Sequence, residues 1–487
     1  MLLSQSFKFI RKATALMLLP LLAWSCQLVT EDYDCESDIS DANQYINIII
    51  SVSADNNSAT RANPNGGEEG DGREKGIVTR ENEVDGVTII FYRNTNGINA
   101  TPESAQATPI DFVAYYETTL DENYTPRTGV HYPDEVYYTT GDQEMPTRLQ
   151  SDQQYHVIVV ANADLTSQIT VGDATVTNLA TLREMTRTTV YKDTDSGVGT
   201  NATKFVMTSE RDDVLTFNYS TYDKSQNRLT FIFENIHLER MAARIDLLTN
   251  GATYNETYDH SGYEYAIEGS TDHFVLTSVM PFNVNNDGEY LIKRTNDDTA
   301  PYLRDETTQN WVLDPNTSSK TASSHPNYLS NTLTDVIGMT SSLNVTMSGQ
   351  QDYKTSIQGR DNIIVGYVKE NTISTATPYY YYATGLAFEG YYYRNGAKIN
   401  GERRVYYHFI RHQGEKSTAY DALTAAELAT FDKTTTIGNE GTPMNYGIVR
   451  NNIYRISIGS INSENGSIKI KIEEEKWRHV DNPTIYI

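Results

Sequence analysis

With 487 residues, the chain is long enough for two or three domains, each burying a core of its own. Its 39 Lys+Arg stand against 64 Asp+Glu, and the net charge of -25 repels phosphate backbones and anionic headgroups, which excludes nucleic acid as a partner. Tyr contributes 35 residues against 13 Phe and 3 Trp, amid abundant Thr, Asn and Ser, a composition suited to half-buried pleated strands, so the expected class is all-β.

Residues 1–25 read as a secretory leader. Lys8, Arg11 and Lys12 form a basic start, and the apolar stretch Ala13 to Trp24 is too short for a comfortable membrane span. Pro20 and the abrupt polar switch after Trp24 argue against an anchoring helix. The run Leu22-Ala23-Trp24-Ser25-Cys26 resembles a bacterial lipobox, in which the Cys thiol takes a diacylglycerol and becomes the mature N-terminus. The alternatives for Cys26 are a free thiol or a loop closed with Cys35. These are the two cysteines of the chain, so no disulfide braces its body. No second apolar span follows, so the mature chain would be held to a membrane through its N-terminus alone.

Residues 26–80 are expected to hold one strand and a linker. Ile46, Ile48, Ile50 and Val52 alternate on one face at period two. Ala54 to Arg80 then carries Pro64, Gly66, Gly67, Gly70, Gly72 and five acidic residues, a composition that cannot bury enough apolar surface to order itself. From 81 to 224 strands are expected at Val87 to Arg93, Phe112 to Tyr116, Glu135 to Tyr138, Tyr155 to Ala161, Phe205 to Met207 and Val214 to Tyr219, with a short helix near Asn178 to Met185. The polar run Asp223 to Asn227 is taken as the domain boundary.

The second domain, 225–465, opens with Arg228 to Glu234 and Arg240 to Leu248 and continues through Phe274 to Met280, Ile363 to Val368 and a Tyr-rich region from Tyr379 to Ile410. Asn395-Gly396 between aromatic runs is a hairpin signal, because the pair supplies the positive φ angles of a type I′ turn. Thr424 to Glu427 is a capping box. The last 22 residues, 466–487, carry Ile468, Ile470 and Ile472 in alternation, then Trp477, Ile485 and Ile487. The simplest architecture is two β-sandwich domains with short helices.

Chemistry is hard to find. His408 and His412 sit in an alternating strand, where four residues at about 3.3 Å each hold the imidazoles roughly 13 Å apart, too far for one ion. Asp193, Asp195 and Gly197 begin like a calcium loop, but position 12 is Lys204 rather than Glu. No nucleophile elbow, zinc-protease motif or phosphate loop occurs, and no catalytic residue, metal or cofactor is assigned. The clusters Tyr379 to Tyr382 and Tyr391 to Tyr393 either stack on sugar rings, line a protein interface, or pack within their own sheet.

Val449-Arg450-Asn451-Asn452-Ile453-Tyr454-Arg455 is similar to the Arg-Asn-Asn-x-Tyr strand entry of the fimbrillin family of Bacteroidetes type V pili, and Ile468 to Ile472 followed by Trp477 is similar to that family's terminal β-segment. Leader, strand, Arg-containing linker and two β-domains extend the resemblance over the whole chain, most closely to the shaft subunits of short fimbriae. Cys35, nine residues after Cys26, is instead more like the anchor subunits.

The resemblance implies transthyretin-like β-sandwiches and a non-enzymatic structural subunit of a surface fimbrium. It implies a precursor lipidated at Cys26 and carried to the outer membrane. An Arg-specific protease would then cut after Arg61, with Arg80 the alternative, and the strand of Ile46, Ile48, Ile50 and Val52 would leave. The 466–487 segment of a neighbour would add in its place, with Ile468, Ile470, Ile472, Trp477, Ile485 and Ile487 as the donor residues. The alternative for that segment is a strand paired in its own sheet. Implied partners are further copies, anchor and tip subunits, and a host protein or glycan. The competing functions are an anchor or tip subunit, and a surface glycan-binding lipoprotein.

Overall fold

The computed structural model of the chain describes residues 42–53, 82–93, 109–122, 124–125, 135–145, 155–173, 177–187, 190–193, 203–209, 213–215, 219–249, 252–285, 288–295, 312–315, 345–346, 355–357, 360–372, 383–399, 403–410, 418–424, 427, 447–464 and 467–474. They form an almost wholly β structure with one short helix, as composition and alternation require.

The first half contains β1 (Asn43–Ser53), β2 (Gly86–Arg93), β3 (Ile110–Glu117), β4 (Glu135–Thr139) and β5 (Tyr155–Ala161). A short helix, α1 (Leu179–Arg183), is followed by β6 (Met207–Ser209), β7 (Tyr219–Asp223) and β8 (Arg228–Arg240). The helix starts at Asn178 because a capping box forms there: Asn178 Oδ1 accepts from the Thr181 backbone at 2.9 Å, and Thr181 Oγ1 accepts from the Asn178 backbone at 2.9 Å. The sheet order is β3-β2-β5-β6-β8-β1-β4. The continuous apolar runs of β2 and β5 are buried on both faces. Phe91 anchors this core, its ring 5.7 Å from Phe112 and 5.6 Å from Phe233.

The boundary expected at 224/225 is wrong for the sheet. Asp223 to Asn227 is the turn of the β7–β8 hairpin, where the Asp223 carboxylate accepts from the Ser225 amide at 2.9 Å and Asn227 takes a φ of 48°. A polar hairpin turn and a linker share a composition, which is why the run misleads. The chain leaves the first sheet at Met241 and Ala242 instead. Both are buried in the first core, and the next residue, Ala243, belongs to the second.

The second half contains β9 (Ala243–Leu248), β10 (Gly262–Ala266), β11 (Asp272–Phe282), β12 (Arg360–Val368), β13 (Gly385–Arg394), β14 (Arg404–Phe409), β15 (Thr418–Asp421), β16 (Ile453–Glu464) and β17 (Ser467–Glu474). One sheet runs β12-β9-β16-β17-β15 and the other β10-β11-β13-β14, each with short flanking pieces. Ile245, Leu247, Ile363 and Ile456 from the first meet Phe274, Leu276, Leu386 and Phe388 from the second in one core, so this half is a β-sandwich. Asn395 and Gly396 take φ of 49° and 78° in the β13 turn, as the Asn-Gly pair requires. Thr424 and Glu427 make the capping contacts expected of them, the Glu427 amide donating to Thr424 Oγ1 at 3.2 Å.

The C-terminal expectation needs correction over 467–474. β17 is an interior strand of its own sheet, between β16 and β15, with Ile468, Ile470 and Ile472 opposite Ser463, Ile461 and Ile458. Ile470 is fully buried in the second core. β17 thus pairs antiparallel with its own predecessor, β16, the alternative reading of that segment.

Candidate strand-exchange site

β1 is the element whose position carries functional meaning. It lies inside the first sheet, parallel to β8 on one side, with Ile46 opposite Phe231 and Val52 opposite Leu238. On its other side it is antiparallel to β4, with Ile50 opposite Tyr138 and Val52 opposite Val136, and to Gln143–Glu144. The first strand of the described residues thus lies between two edges of later sequence.

Ile46, Ile48, Ile50 and Val52 are each 0% exposed, so the period-two face read from sequence is the core face. At roughly 1.5 to 3 kcal/mol per side chain, their burial contributes about 6 to 12 kcal/mol to holding the strand. Ile49 faces the opposite side by the same alternation, where it joins Tyr137 and Ile232 in a small apolar cluster that Tyr124 covers. The bulge beside it lies in β8, which advances three residues from Phe233 to Ile236 against two from Ile48 to Ile50.

Polar contacts fix the register. The Ile48 amide donates to Thr140 Oγ1 at 3.0 Å, and the Thr140 amide returns a bond to the Ile48 carbonyl at 3.0 Å. Thr139 Oγ1 donates to Asn47 Oδ1 at 2.7 Å, while Asn47 Nδ2 donates to Asp142 at 3.2 Å. Ser51 Oγ and His237 Nδ1 are 2.8 Å apart. Arg228 lies over the Tyr45 ring and pairs with Asp142, which ties β8 to the far rim of the seat. Sequence reasoning found the four aliphatic residues but missed these partners, because they come from β4, the residues just after it and β8, all far from β1 in the chain.

Of the other residues expected to act, Cys26, Arg61, Arg80, Trp477, Ile485 and Ile487 lie outside the described residues, as do Cys35, His412 and Tyr379 to Tyr382. His408 is buried in β14, and among the described residues no group of His, Cys, Asp and Glu could hold a metal ion. Tyr392 packs inward on Phe274, whereas Tyr391 stacks on His260 at 4.0 Å and Tyr393 on Tyr258 at 4.2 Å. These three rings are therefore used within the fold. Among the described residues no helix is long and apolar enough to cross a membrane.

The Arg-Asn-Asn motif sits where the two halves meet. Arg450 is fully buried and grips Glu370 with Nε at 2.9 Å and Nη2 at 2.7 Å, and it donates to the carbonyls of Leu291 at 3.2 Å and Tyr290 at 2.6 Å. Burial opposes the Arg450 charge, and the Glu370 and Glu289 carboxylates more than restore it. Glu289 is also fully buried; burial, reinforced by Glu370 and opposed by Arg450, lifts its carboxyl well above the usual range. The segment that Arg450 holds reaches back to the first half: Glu289 and Tyr290 pair with Arg187 and Thr186, and Leu291 and Ile292 enter the first core. Asn451, at φ 58°, donates its amide to the Ala242 carbonyl at 2.9 Å and accepts from Arg240 Nη1 at 3.0 Å. The motif was legible in sequence, but its acidic partners, 80 and 161 positions upstream, were not.

No model of a known protein family matches the chain, and no curated protein matches it in sequence. Solved structures align along most of the chain. The C-terminally truncated tip fimbrial protein Mfa3 from Porphyromonas gingivalis shares 12% identity over 89% of this chain and 100% of its own, at a TM-score of 0.37. A fimbrial assembly protein from Parabacteroides distasonis shares 11% identity over 88% of this chain and 99% of its own, at a TM-score of 0.34.

Proposed function

We propose that the chain is a structural subunit of a Bacteroidetes-type surface fimbrium, and that β1 is a removable plug whose seat is filled by a strand from the next subunit. The observation that carries this is the seat itself: the first described strand runs parallel to β8 in mid-sheet, buries four aliphatic side chains, and is followed in sequence by the Gly-rich, Arg-containing stretch 54–80. Without β1, the edges of β8 and β4 would lose their ladder partner and the first core would open, a state that only another strand repairs. Assembly would then be driven by burial and backbone pairing, with no nucleotide hydrolysis.

In this reading the precursor is lipidated at Cys26, carried to the outer membrane and cut after Arg61 by an Arg-specific protease, and the mature subunit joins copies of itself and anchor and tip subunits. β17 is committed to its own sheet, so the donor would come from the residues after it, 475–487, which include Trp477, Ile485 and Ile487. Mass spectrometry of the protein from cells tests the reading. A mature N-terminus at Ala62 with no lipid is expected. A lipidated N-terminus that keeps β1 would replace the shaft role with an anchor or a surface binding protein, and a cut at Arg80 would move the site alone.

A further inference from the structure

β4 has two ladder partners among the described residues: β1 on one side, and the two-residue strand Thr119–Leu120 on the other. Thr119–Leu120 continues directly from β3, so the 135–145 edge is joined to β8 through β1 and to the β3 end of the sheet through that short strand. Its other ties to β8 are side chain contacts, the Arg228 to Asp142 pair and the outer cluster that Tyr137 and Ile232 share. When β1 leaves, two strand edges become free at once, and they face each other across one vacant strand position.

We propose that on release of β1 the 135–145 edge closes directly onto β8, so that the empty subunit shields its own seat until an incoming strand displaces that edge. The inference rests on the reading that β1 is removed. Geometry favours closure in three ways. First, β4 is antiparallel to β1 and β1 is parallel to β8, so β4 and β8 already run antiparallel and can form an ordinary ladder. Second, closing takes a shift of about one strand spacing, ~4.8 Å.

Third, the faces agree. Ile50 lies opposite both Ile236 and Tyr138, Ser51 opposite His237 and Tyr137, and Val52 opposite Leu238 and Val136. Directly opposed residues share a face, so removing the middle strand sets Tyr138 beside Ile236 and Val136 beside Leu238 with all four still toward the core. Tyr137 meanwhile stays on the outer face with Ile232. Closure recovers backbone pairing but not the four aliphatic side chains that leave with β1. The closed subunit is thus less stable than one with a strand in the seat, and it yields to a donor.

The test is a disulfide that only the closed state can form. In the full chain with Cys26→Ser and Cys35→Ser, Tyr137→Cys and His237→Cys place thiols across β1, about two strand spacings or ~10 Å apart. That exceeds the ~7 Å limit for a disulfide. The uncut protein should stay reduced under mild oxidant. After limited cleavage by an Arg-specific protease and loss of the β1 peptide, followed by mass, the intramolecular disulfide should form and assembly should stop until a reductant is added. Val136→Cys with Leu238→Cys repeats the test from the core side if the first pair does not fold. On the unaltered chain, amides of 135–139 and 229–238 should exchange slowly in the released subunit. Released subunits that stay reduced with both pairs, or whose two edges exchange as fast as unstructured chain, would overturn closure. A cut chain that retains its β1 peptide would overturn the strand-removal reading itself, and closure with it.

Discussion

Substituting Ile48 and Ile50 by Ala separates the precursor from the filament. Both side chains are fully buried in the first core, and Ile→Ala at such sites costs about 2 to 5 kcal/mol each. The two lie on one face of one strand and their cavities merge, so a sum of about 4 to 10 kcal/mol bounds the pair rather than fixing it. A domain is stable by only about 5 to 15 kcal/mol, so Ile48→Val, at about 0.5 to 1.5 kcal/mol, serves as a graded companion. Urea unfolding of the uncut chain should show the transition of the first half moving to lower denaturant in the order of these costs, while the second half keeps its midpoint. Filaments grown from cut variants should be as resistant to denaturant as wild type, because β1 is no longer present in them. An unchanged precursor midpoint would refute the burial argument. A filament weakened as much as the precursor would show that β1 remains in the polymer.

Arg450→Met leaves the buried Glu370 carboxylate without its cation and should cost about 3 to 5 kcal/mol in the second-half transition, with Glu370→Leu and Glu289→Leu added in the same chain recovering most of the loss. Glu289 titrates higher in the folded protein than its ordinary value of 4.5, so its contribution is whole below that value and is lost as pH rises toward the raised one. Glu289→Gln should flatten the rise-in-pH loss of stability over that interval, read as urea midpoints against pH. Cys26→Ala should leave the precursor out of the outer-membrane fraction, and normal fractionation would refute lipidation there. Deleting 475–487 should spare the melting temperature and abolish polymerisation, whereas deleting from Ser467 onward removes Ile470 from the core and should cost several degrees as well.

Periodicity made most of the strands readable. Alternating or continuous apolar runs such as Val87 to Arg93 and Tyr155 to Ala161 became β2 and β5 at nearly the expected bounds, and Asn178 capped a helix through its side chain. What sequence could not supply was partner choice. Asp223 to Asn227 looks the same as a turn or a linker, because both need polar residues and neither shows which strands they join. Ile468 to Ile472 has the same alternation whether its ladder lies within the chain or beyond it, and local pattern does not choose between the two. At the seat, Ile46 to Val52 announced a buried face, but Thr139, Thr140, Asp142 and His237 come from positions about 90 to 190 residues away, and local pattern carries no information about such contacts.

In the proposed assembly β1 leaves while its counterpart in the second half stays, and the two strands differ in ways that suit those roles. Each half begins with a strand that has one parallel and one antiparallel neighbour: β1 lies between β8 and β4, and β9 between β16 and β12. Each pairs across a bulge, at Ile48/Ile50 in β1 and at Ile245/Asp246 in β9. Both bury aliphatic side chains fully, so packing alone does not distinguish them. Attachment does. β9 follows β8 with only Met241 and Ala242 between them, both buried; the Arg244 amide donates to the Asn452 carbonyl at 2.8 Å, and its guanidinium is bound to Asp246 at 2.8 and 2.9 Å. Asn451 and Arg450 clamp the same corner. Met241 and Ala242 offer a protease no exposed chain to cut, and a freed β9 would have to take its own buried Arg244–Asp246 ion pair out of the fold. β1 carries no charged side chain at all, and 32 residues separate Ser53 from Gly86, with Arg61, Arg73 and Arg80 among them. One cut in that stretch would free a strand whose core side chains are all apolar and whose charged partners, Asp142 and Arg228, sit at the rim and pair with each other, so a strand of similar pattern could replace it without stranding a charge in the core.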